Sequence, residues 1–272
     1  MTERKLIIGR IPYANLFPIF HTLEKECDCS SYEFVDGVPS ELNSMLRSGA
    51  VDLSPSSSVE YLRNPLLYTY IDNHSVSSLG PVGSVLLFSE RPIEELDGSV
   101  VQVTTQSDTS VALLDIILRK FYGIRPVLQP SDRPKGEAFL LIGDDALRYA
   151  KSSLPCTLTH DACPFVYDLG ELWYRYTGLP FVFALWIVRE DSGGKQDLLS
   201  GFAGDLERAK ERALKNLPEI ARHAPMKAFM SAEDILAYWS KLDYELDDEH
   251  KKGLELFDRY LKELAVNLEI FD

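Results

Sequence analysis

The sequence contains no apolar run that approaches the roughly 20 residues of a membrane-spanning helix. Its 28 lysines and arginines are outnumbered by 42 aspartates and glutamates, which gives a formal net charge of −14. That balance argues against a basic face for nucleic acid or for an anionic membrane. The amino terminus lacks the apolar core of a secretory signal, so we expect a cytoplasmic protein. An anionic small ligand stays compatible, because helix N-termini bind anions locally.

Cysteine is also scarce, with four in 272 residues. Cys27, Cys29, Cys156 and Cys163 are predicted to be free thiols, as is usual in a reducing compartment. Cys156, His160 and Cys163 form a Cys-x3-His-x2-Cys run, for which a metal site is the alternative interpretation. The spacing matches no standard zinc pattern and no fourth ligand stands nearby, so we predict structural thiols and no metal.

Several catalytic and cofactor motifs are missing. The sequence has no Gly-x-Gly-x-x-Gly dinucleotide loop, no phosphate-binding Lys-Ser/Thr loop and no Gly-x-Ser-x-Gly nucleophile elbow. The histidines are scattered without an evident partner, and we predict surface or packing roles for them. They are His21, His74, His160, His223 and His250.

What the sequence does contain is an alternation of strand and helix patterns. The length of the chain allows one large domain or two of roughly 130 residues. The predicted strands are Leu6–Gly9, Tyr32–Val35, Val51–Leu53, Val82–Phe88, Val100–Val103, Pro126–Leu128, Ala138–Ile142 and Phe181–Val188. The predicted helices between them are Leu16–Lys25, Pro39–Arg47, Ser56–Leu62, Ser107–Tyr122, one opened by Gly143-Asp144-Asp145-Ala146, and Asp168–Tyr176. Such alternation predicts parallel sheets with helices on their faces, followed here by an acidic helical C-terminal third.

Two α/β units predict a bilobed protein with a ligand cleft between the lobes. The long strands near Phe88–Glu90 and Leu185–Arg189 are the predicted crossings between lobes. The first lobe is then discontinuous, with residues 1–88 and 187–272, and the second lobe comprises residues 89–186.

The loop Arg10–Pro18 follows the first predicted strand directly, which places it at the carboxyl edge of a sheet, where ligands bind in open α/β folds. Asn15 is its most informative residue, because a neutral amide both donates and accepts hydrogen bonds. Ser84, at the start of an apolar strand, is predicted either to face the cleft or to satisfy a backbone group.

Small polar residues cluster at three predicted strand-to-helix junctions, Ser54–Ser58, Thr104–Ser110 and Gly143–Asp145. In the first two, hydroxyls beside free backbone amides would form anion pockets, and simple helix capping is the alternative for each residue. Asp52 and Asp144 are the predicted cleft carboxylates, with capping as the alternative for Asp144. The predicted substrate-binding residues are Ser56, Ser84, Thr105, Ser107, Thr109, Ser110 and Asp144.

Several sequence blocks together resemble one enzyme family. They are Ile11–Pro18 (Ile-Pro-Tyr-Ala-Asn-Leu-Phe-Pro), Pro39–Asn43, Gly80–Val85, Gly143–Leu147, Asp168–Trp173 (Asp-Leu-Gly-Glu-Leu-Trp) and Thr177–Ala184. Together the blocks resemble the chorismate dehydratases of the futalosine route to menaquinone, in a match that spans about residues 4 to 189. The sister enzyme that makes 1,4-dihydroxy-6-naphthoate typically begins Ser-Pro-Cys-Pro-Asn-Asp, and the Pro12-Tyr13-Ala14-Asn15 start departs from that pattern.

The resemblance implies a type 2 periplasmic-binding-protein fold. It further implies an enzyme that removes water from chorismate without a metal or an organic cofactor. It points to Asn15 as the catalytic residue. Two alternatives stay open from the residues alone, a non-catalytic cytoplasmic binder of organic anions and an enzyme of the same shape acting on another cyclic acid. The sequence makes no prediction of the oligomeric state.

Overall fold

The computed structural model describes residues 5–152, 164–192 and 194–269. Its strands form two five-stranded sheets. The first sheet has the order β2-β1-β3-β10-β4 and contains β1 (Leu6–Arg10), β2 (Tyr32–Asp36), β3 (Leu53–Ser57), β4 (Tyr68–Ser78) and β10 (Phe181–Arg189). The second has the order β7-β6-β8-β5-β9 and contains β5 (Val85–Ser89), β6 (Val100–Thr104), β7 (Val127–Ser131), β8 (Ala138–Ile142) and β9 (Phe165–Asp168).

Both sheets are mixed, so the prediction of parallel sheets is only partly right. In the first sheet β1 pairs in parallel with β2 and β3, whereas β10 runs antiparallel to β3 and β4. In the second sheet β6 pairs in parallel with β7 and β8, and β5 runs antiparallel to β8 and β9. One strand in each sheet, β10 in the first and β5 in the second, runs antiparallel to both of its neighbours. These strands break the simple alternation of strand, helix and parallel strand.

The helices flank these sheets and dominate the C-terminal third. They are α1 (Phe17–Glu26), α2 (Pro39–Ser48), α3 (Ser58–Arg63), α4 (Asp108–Ile116, continued by a π-helical turn at Ile117–Phe121), α5 (Gly143–Ser152), α6 (Leu169–Thr177), α7 (Gln196–Lys215), α8 (Leu217–Ala221), α9 (Ala232–Trp239) and α10 (Asp248–Glu269). Short 3₁₀ turns lie at Ile93–Glu95 and Pro225–Ala228. No helix in these described ranges is long and apolar enough to cross a bilayer.

The ends of several helices follow from local sequence. α2 has proline at its first turn and ends at Gly49, whose φ of +76° is in the left-handed region that glycine tolerates. Asp168 caps α6 by accepting hydrogen bonds from the N–H groups of Gly170 and Glu171. Ser231 and Asp234 form a capping box at the start of α9.

Two strands are absent from the sequence prediction, β4 and β9. The sequence of β4, Tyr68–Ser78, is too polar to look like a core strand, yet its last residues are buried. They are buried because the Ser75 and Ser77 hydroxyls donate to the carbonyls of Glu245 and Asp243, which cover the strand from the C-terminal region. A long-range contact therefore replaces the apolar pattern as the cause of burial.

Two predicted boundaries are wrong in this structure. β3 begins at Leu53 and runs through Ser57, so Ser56 lies inside a strand and not at a helix start. Neither β5 nor β10 passes between sheets, since β5 belongs wholly to the second sheet and β10 wholly to the first. The division into lobes at residues 88 and 187 stays a prediction.

Candidate active site

A cavity that is partly open to solvent lies between the two sheets. The first sheet contributes Ser57 of β3, Val76 of β4 and both Phe183 and Ala184 of β10. The second contributes Val85 of β5 and Ile142 of β8, together with the start of α4. A site assembled from both sheets is the arrangement that the predicted cleft requires.

The polar part of the cavity lining consists of uncharged groups. These are Tyr13, Asn15, Ser57, Ser84, Ser107 and Ser110. Among the described residues no lysine, arginine, histidine, aspartate or glutamate lines it. Such a lining binds ligand oxygens by hydrogen bonds and not by ion pairing.

The loop that carries Asn15 is held by its backbone on both sides. The Ala14 N–H donates to the Asp144 carboxylate at 2.9 Å, and the Ala14 carbonyl accepts from the Trp239 indole N–H at 2.9 Å. The Asn15 carbonyl accepts from the Tyr244 hydroxyl at 2.5 Å. The Asn15 side-chain oxygen Oδ1 is buried and has no hydrogen-bond partner within the described part of the chain. A fixed backbone with a free buried amide oxygen is suited to a ligand contact, because an unpaired buried polar atom is costly otherwise.

Tyr13 connects this loop to the second sheet. Its hydroxyl donates to the side-chain oxygen of Gln106 at 2.6 Å, and burial raises the pKa of the phenol so that it stays protonated. Its ring lies against Gly143, where a Cβ would stand 3.0 Å from the ring carbons. Gly143 also has a φ of +55°, so glycine is favoured there on two grounds.

Ser84 is fixed on the second side of the cavity. Its carbonyl accepts from the Gly143 N–H at 2.7 Å, and its hydroxyl accepts from the Tyr238 hydroxyl at 3.0 Å. The preceding residues are held by the Asp168 carboxylate, which accepts from the N–H groups of Val82 at 3.0 Å and Gly83 at 2.6 Å. Burial raises the pKa of Asp168, and these backbone donors oppose the rise. Asp168 therefore joins two of the sequence blocks, Gly80–Val85 and Asp168–Trp173.

Ser107 and Ser110 stand at the N-terminus of α4. The Ser107 hydroxyl accepts from the Ser110 N–H at 3.3 Å and lies 3.2 Å from the Ser110 hydroxyl. Both side chains are buried and line the cavity. The first turn of a helix leaves N–H groups without intrahelical partners, which favours an anionic oxygen at this end.

The structure thus brings four of the predicted site residues to one cavity, Asn15, Ser84, Ser107 and Ser110. The other four do not line it. Thr105 is exposed and donates to Asp132, and the Thr109 hydroxyl accepts from the Val59 N–H. Ser56 points away from its neighbour Ser57 along the strand, and its buried hydroxyl has no partner among the described residues.

The predicted cleft carboxylates also have structural contacts. Asp144 accepts from Ala14 as described above, and burial raises its pKa. Asp52 is not a cleft residue, since its carboxylate accepts from the Ile7 N–H at 2.7 Å and from Lys195 at 2.6 Å. Asp144 contacts the loop that carries Asn15 and does not itself line the cavity.

The described histidines lie away from this cavity. His74 contacts Glu207, His250 contacts Asp243 and Asp247, and His21 stacks on His223 at 5.4 Å between ring centroids. No cluster of three or more histidine, cysteine, aspartate or glutamate side chains with the spacing of a metal site occurs in residues 5–152, 164–192 and 194–265. The Cys156-His160-Cys163 run, with its predicted thiols and its metal alternative, lies outside the described residues. Cys27 and Cys29 are free thiols, and burial raises the pKa of both.

Sequence reasoning missed several residues that shape the site. Ser57, Tyr13 and Phe183 line the cavity, and Tyr238, Trp239 and Tyr244 contact its walls from the C-terminal region. Tyr13 lies in the loop Arg10–Pro18, which the sequence places at the ligand-binding edge of a sheet, so its position in the site could have been predicted. The C-terminal aromatic residues carried none, because their partners lie far away in the sequence.

Comparison with solved structures identifies the fold. An Archaeoglobus fulgidus protein superposes with a TM-score of 0.72 at 18% identity, covering 99% of this chain and 100% of that one. A Candida albicans protein described as having the generic periplasmic binding protein fold gives a TM-score of 0.64 at 14% identity, over 96% of this chain and 91% of that one. The chain has the two-lobed periplasmic-binding-protein fold, as the sequence resemblance implied.

Comparison of sequences identifies the family. A family model described as menaquinone biosynthesis matches residues 6–263. The chain is 32% identical over 269 residues to a chorismate dehydratase of Thermus thermophilus, covering 93% of this chain and 94% of that protein. The chain belongs to this menaquinone biosynthesis family.

Proposed function

We propose that this protein is a chorismate dehydratase of menaquinone biosynthesis by the futalosine route. The observation that carries the proposal is the buried, unpartnered Oδ1 of Asn15, a residue that lines an uncharged polar cavity between the two sheets. The 32% identity to the Thermus thermophilus chorismate dehydratase supports the same substrate. The product is 3-[(1-carboxyvinyl)oxy]benzoate, and the enzyme class is a hydro-lyase that acts on a carbon–oxygen bond.

The reaction needs orientation more than a strong acid or base. The C3–H bond of chorismate breaks and its electron pair becomes part of the ring, while the C4–O bond breaks and the hydroxyl leaves with a proton as water. The ring becomes aromatic, which supplies a large driving force. Placement of the ring and stabilisation of developing charge are then the main contributions of the protein.

The two carboxylates of chorismate need donors, since no cation among the described residues lines the cavity. We assign one carboxylate to the hydroxyls of Ser107 and Ser110 and the first turn of α4. Ser84 is assigned to an oxygen of the ligand on the second-sheet side. The Asn15 amide orients the reacting ring or assists departure of the C4 hydroxyl.

The experiment is incubation of the purified protein with chorismate, followed by chromatography for the aromatic product. Conversion to 3-[(1-carboxyvinyl)oxy]benzoate at a rate proportional to protein concentration is the expected result. Binding without turnover would instead favour a non-catalytic binder of organic anions, a function that the fold also suits. Turnover of another cyclic acid in a substrate panel, with chorismate untouched, would move the same chemistry to a different substrate.

A further inference from the structure

A buried phenol stands directly behind one wall of the cavity. Tyr238, on α9, is 4% exposed and does not itself line the cavity. Its hydroxyl lies 3.0 Å from the hydroxyl oxygen of Ser84, which is 3% exposed and does line it. The two residues are separated by 154 positions in the sequence, so the contact exists only in the folded chain.

The Ser84 backbone does not need Tyr238 to hold it. The Gly143 N–H donates to the Ser84 carbonyl, and the Asp168 carboxylate fixes the N–H groups of Val82 and Gly83 just before it. The loop also passes close to the Tyr238 ring, since a Cβ on Gly83 would stand 3.4 Å from a ring carbon. The contribution left to the phenol is the orientation of the Ser84 hydroxyl.

A serine hydroxyl has one hydrogen and two lone pairs. When Tyr238 donates to one lone pair, the serine hydrogen stays available for another acceptor. The Ser84 hydroxyl has no other hydrogen-bond partner among the described residues, and its side chain faces the cavity. Burial raises the pKa of Tyr238, so the phenol keeps its proton throughout the physiological range.

We propose that Tyr238 is a positioning residue that makes the Ser84 hydroxyl a hydrogen-bond donor toward an oxygen of the bound dianion. The inference rests on the proposed function, because the acceptor is an oxygen of chorismate. Tyr238 acts through Ser84 and touches no reacting atom. The C-terminal helices then contribute to the chemistry of the cavity as well as to the core around α9.

The test is a double-mutant cycle of Tyr238→Phe and Ser84→Ala, with kcat and KM measured on chorismate for all four proteins. Tyr238→Phe alone is expected to lower kcat/KM about fivefold to tenfold, which corresponds to the net contribution of one hydrogen bond between uncharged groups. In the Ser84→Ala background the same change is expected to alter kcat/KM by less than about twofold, because the residue through which it acts is gone. Tyr174→Phe, on the exposed face of α6, is the matched control and keeps the parental values.

Effects that multiply in the double variant would overturn the inference, and so would an unchanged kcat/KM in Tyr238→Phe. Thermal unfolding of the four proteins separates loss of folding from loss of positioning. If the parent shows no turnover, the proposed function fails, and the same cycle is then measured on chorismate affinity by calorimetry. Coupled losses of affinity would keep the positioning role, and a parent that neither binds nor converts chorismate would overturn both proposals.

Discussion

The carboxylate of Asp144, at the start of α5, accepts a 2.9 Å hydrogen bond from the backbone N–H of Ala14, in the loop that follows β1. This single contact joins a helix of the second sheet to the residue directly before Asn15. Since Trp239 and Tyr244 hold the same loop from the C-terminal region, the position of the Asn15 amide depends on three residues from two distant parts of the chain.

Replacement of Asp144 by alanine should therefore lower activity without removing any group that lines the cavity. We expect kcat on chorismate to fall about tenfold and the free energy of unfolding to fall by about 1–2 kcal/mol, the usual cost of one lost hydrogen bond with an unpaired buried donor. Asp145→Ala is the matched control, because Asp145 is exposed in the same helical turn. Equal loss of kcat in the two variants would show that charge near the cavity matters and the loop contact does not.

The sequence predicts the Asn15 loop well, because nine consecutive residues contain both the strand end and the proline-bracketed turn. Strand β4 could not be predicted in the same way, since its serines are buried by backbone carbonyls about 170 positions away. The local sequence around Tyr238 and Tyr244 does not indicate a role in the site, because only the folded chain brings them to Ser84 and Asn15. The local sequence pattern thus predicted the loop that carries Asn15. Long-range packing determined which side chains support that loop.

Gly170 shows the same dependence on long-range packing. A Cβ there would stand 2.6 Å from the Gly80 carbonyl oxygen and 2.7 Å from the Ser78 hydroxyl, so α6 and the loop before Ser84 can approach only through glycine. We expect Gly170→Ala to lower the free energy of unfolding by about 1–3 kcal/mol, as overpacking usually does, and to lower kcat/KM because the Ser84 loop moves.

The control for this substitution is Gly201→Ala on α7. The nearest heavy atom to a Cβ at Gly201 is the Tyr32 hydroxyl at 3.8 Å, and alanine is favoured over glycine inside a helix by about 1 kcal/mol. Chemical denaturation should show Gly201→Ala to be as stable as the parent or more so. A Gly170→Ala protein with parental stability would mean that the two segments separate without cost.

The stability of the protein should fall in mild acid because of His74. Burial lowers the pKa of His74 to about 4, against the ordinary value of 6.5, and the ammonium of Lys210 adds to the shift. Between these values the unfolded chain binds a proton that the folded protein does not, so unfolding becomes easier as the pH falls from 6.5 towards 4. The contribution is on the order of 2 kcal/mol at pH 5.

His74→Gln removes this titration. Urea denaturation at pH 7 and pH 5 should show a smaller difference between the two pH values for His74→Gln than for the parent. His223→Gln is the control, because His223 is exposed, and it should keep the parental difference. The assignment to His74 would be wrong if His74→Gln lost as much stability between pH 7 and pH 5 as the parent does.

Asn15 is the residue on which the proposed chemistry depends most directly. Asn15→Ala removes both the donor and the acceptor of the amide, and Asn15→Asp keeps the shape but replaces the donor by a negative charge beside a dianionic ligand. We expect each variant to lower kcat on chorismate at least tenfold, and Asn15→Asp also to raise KM through charge repulsion.

Thermal unfolding should show both proteins to be folded, since the backbone contacts of Ala14 and Asn15 do not involve the side chain. Asn216→Ala, an exposed asparagine before α8, should keep full activity. Parental kcat in Asn15→Ala would reduce Asn15 to a loop residue and leave the catalytic assignment without support.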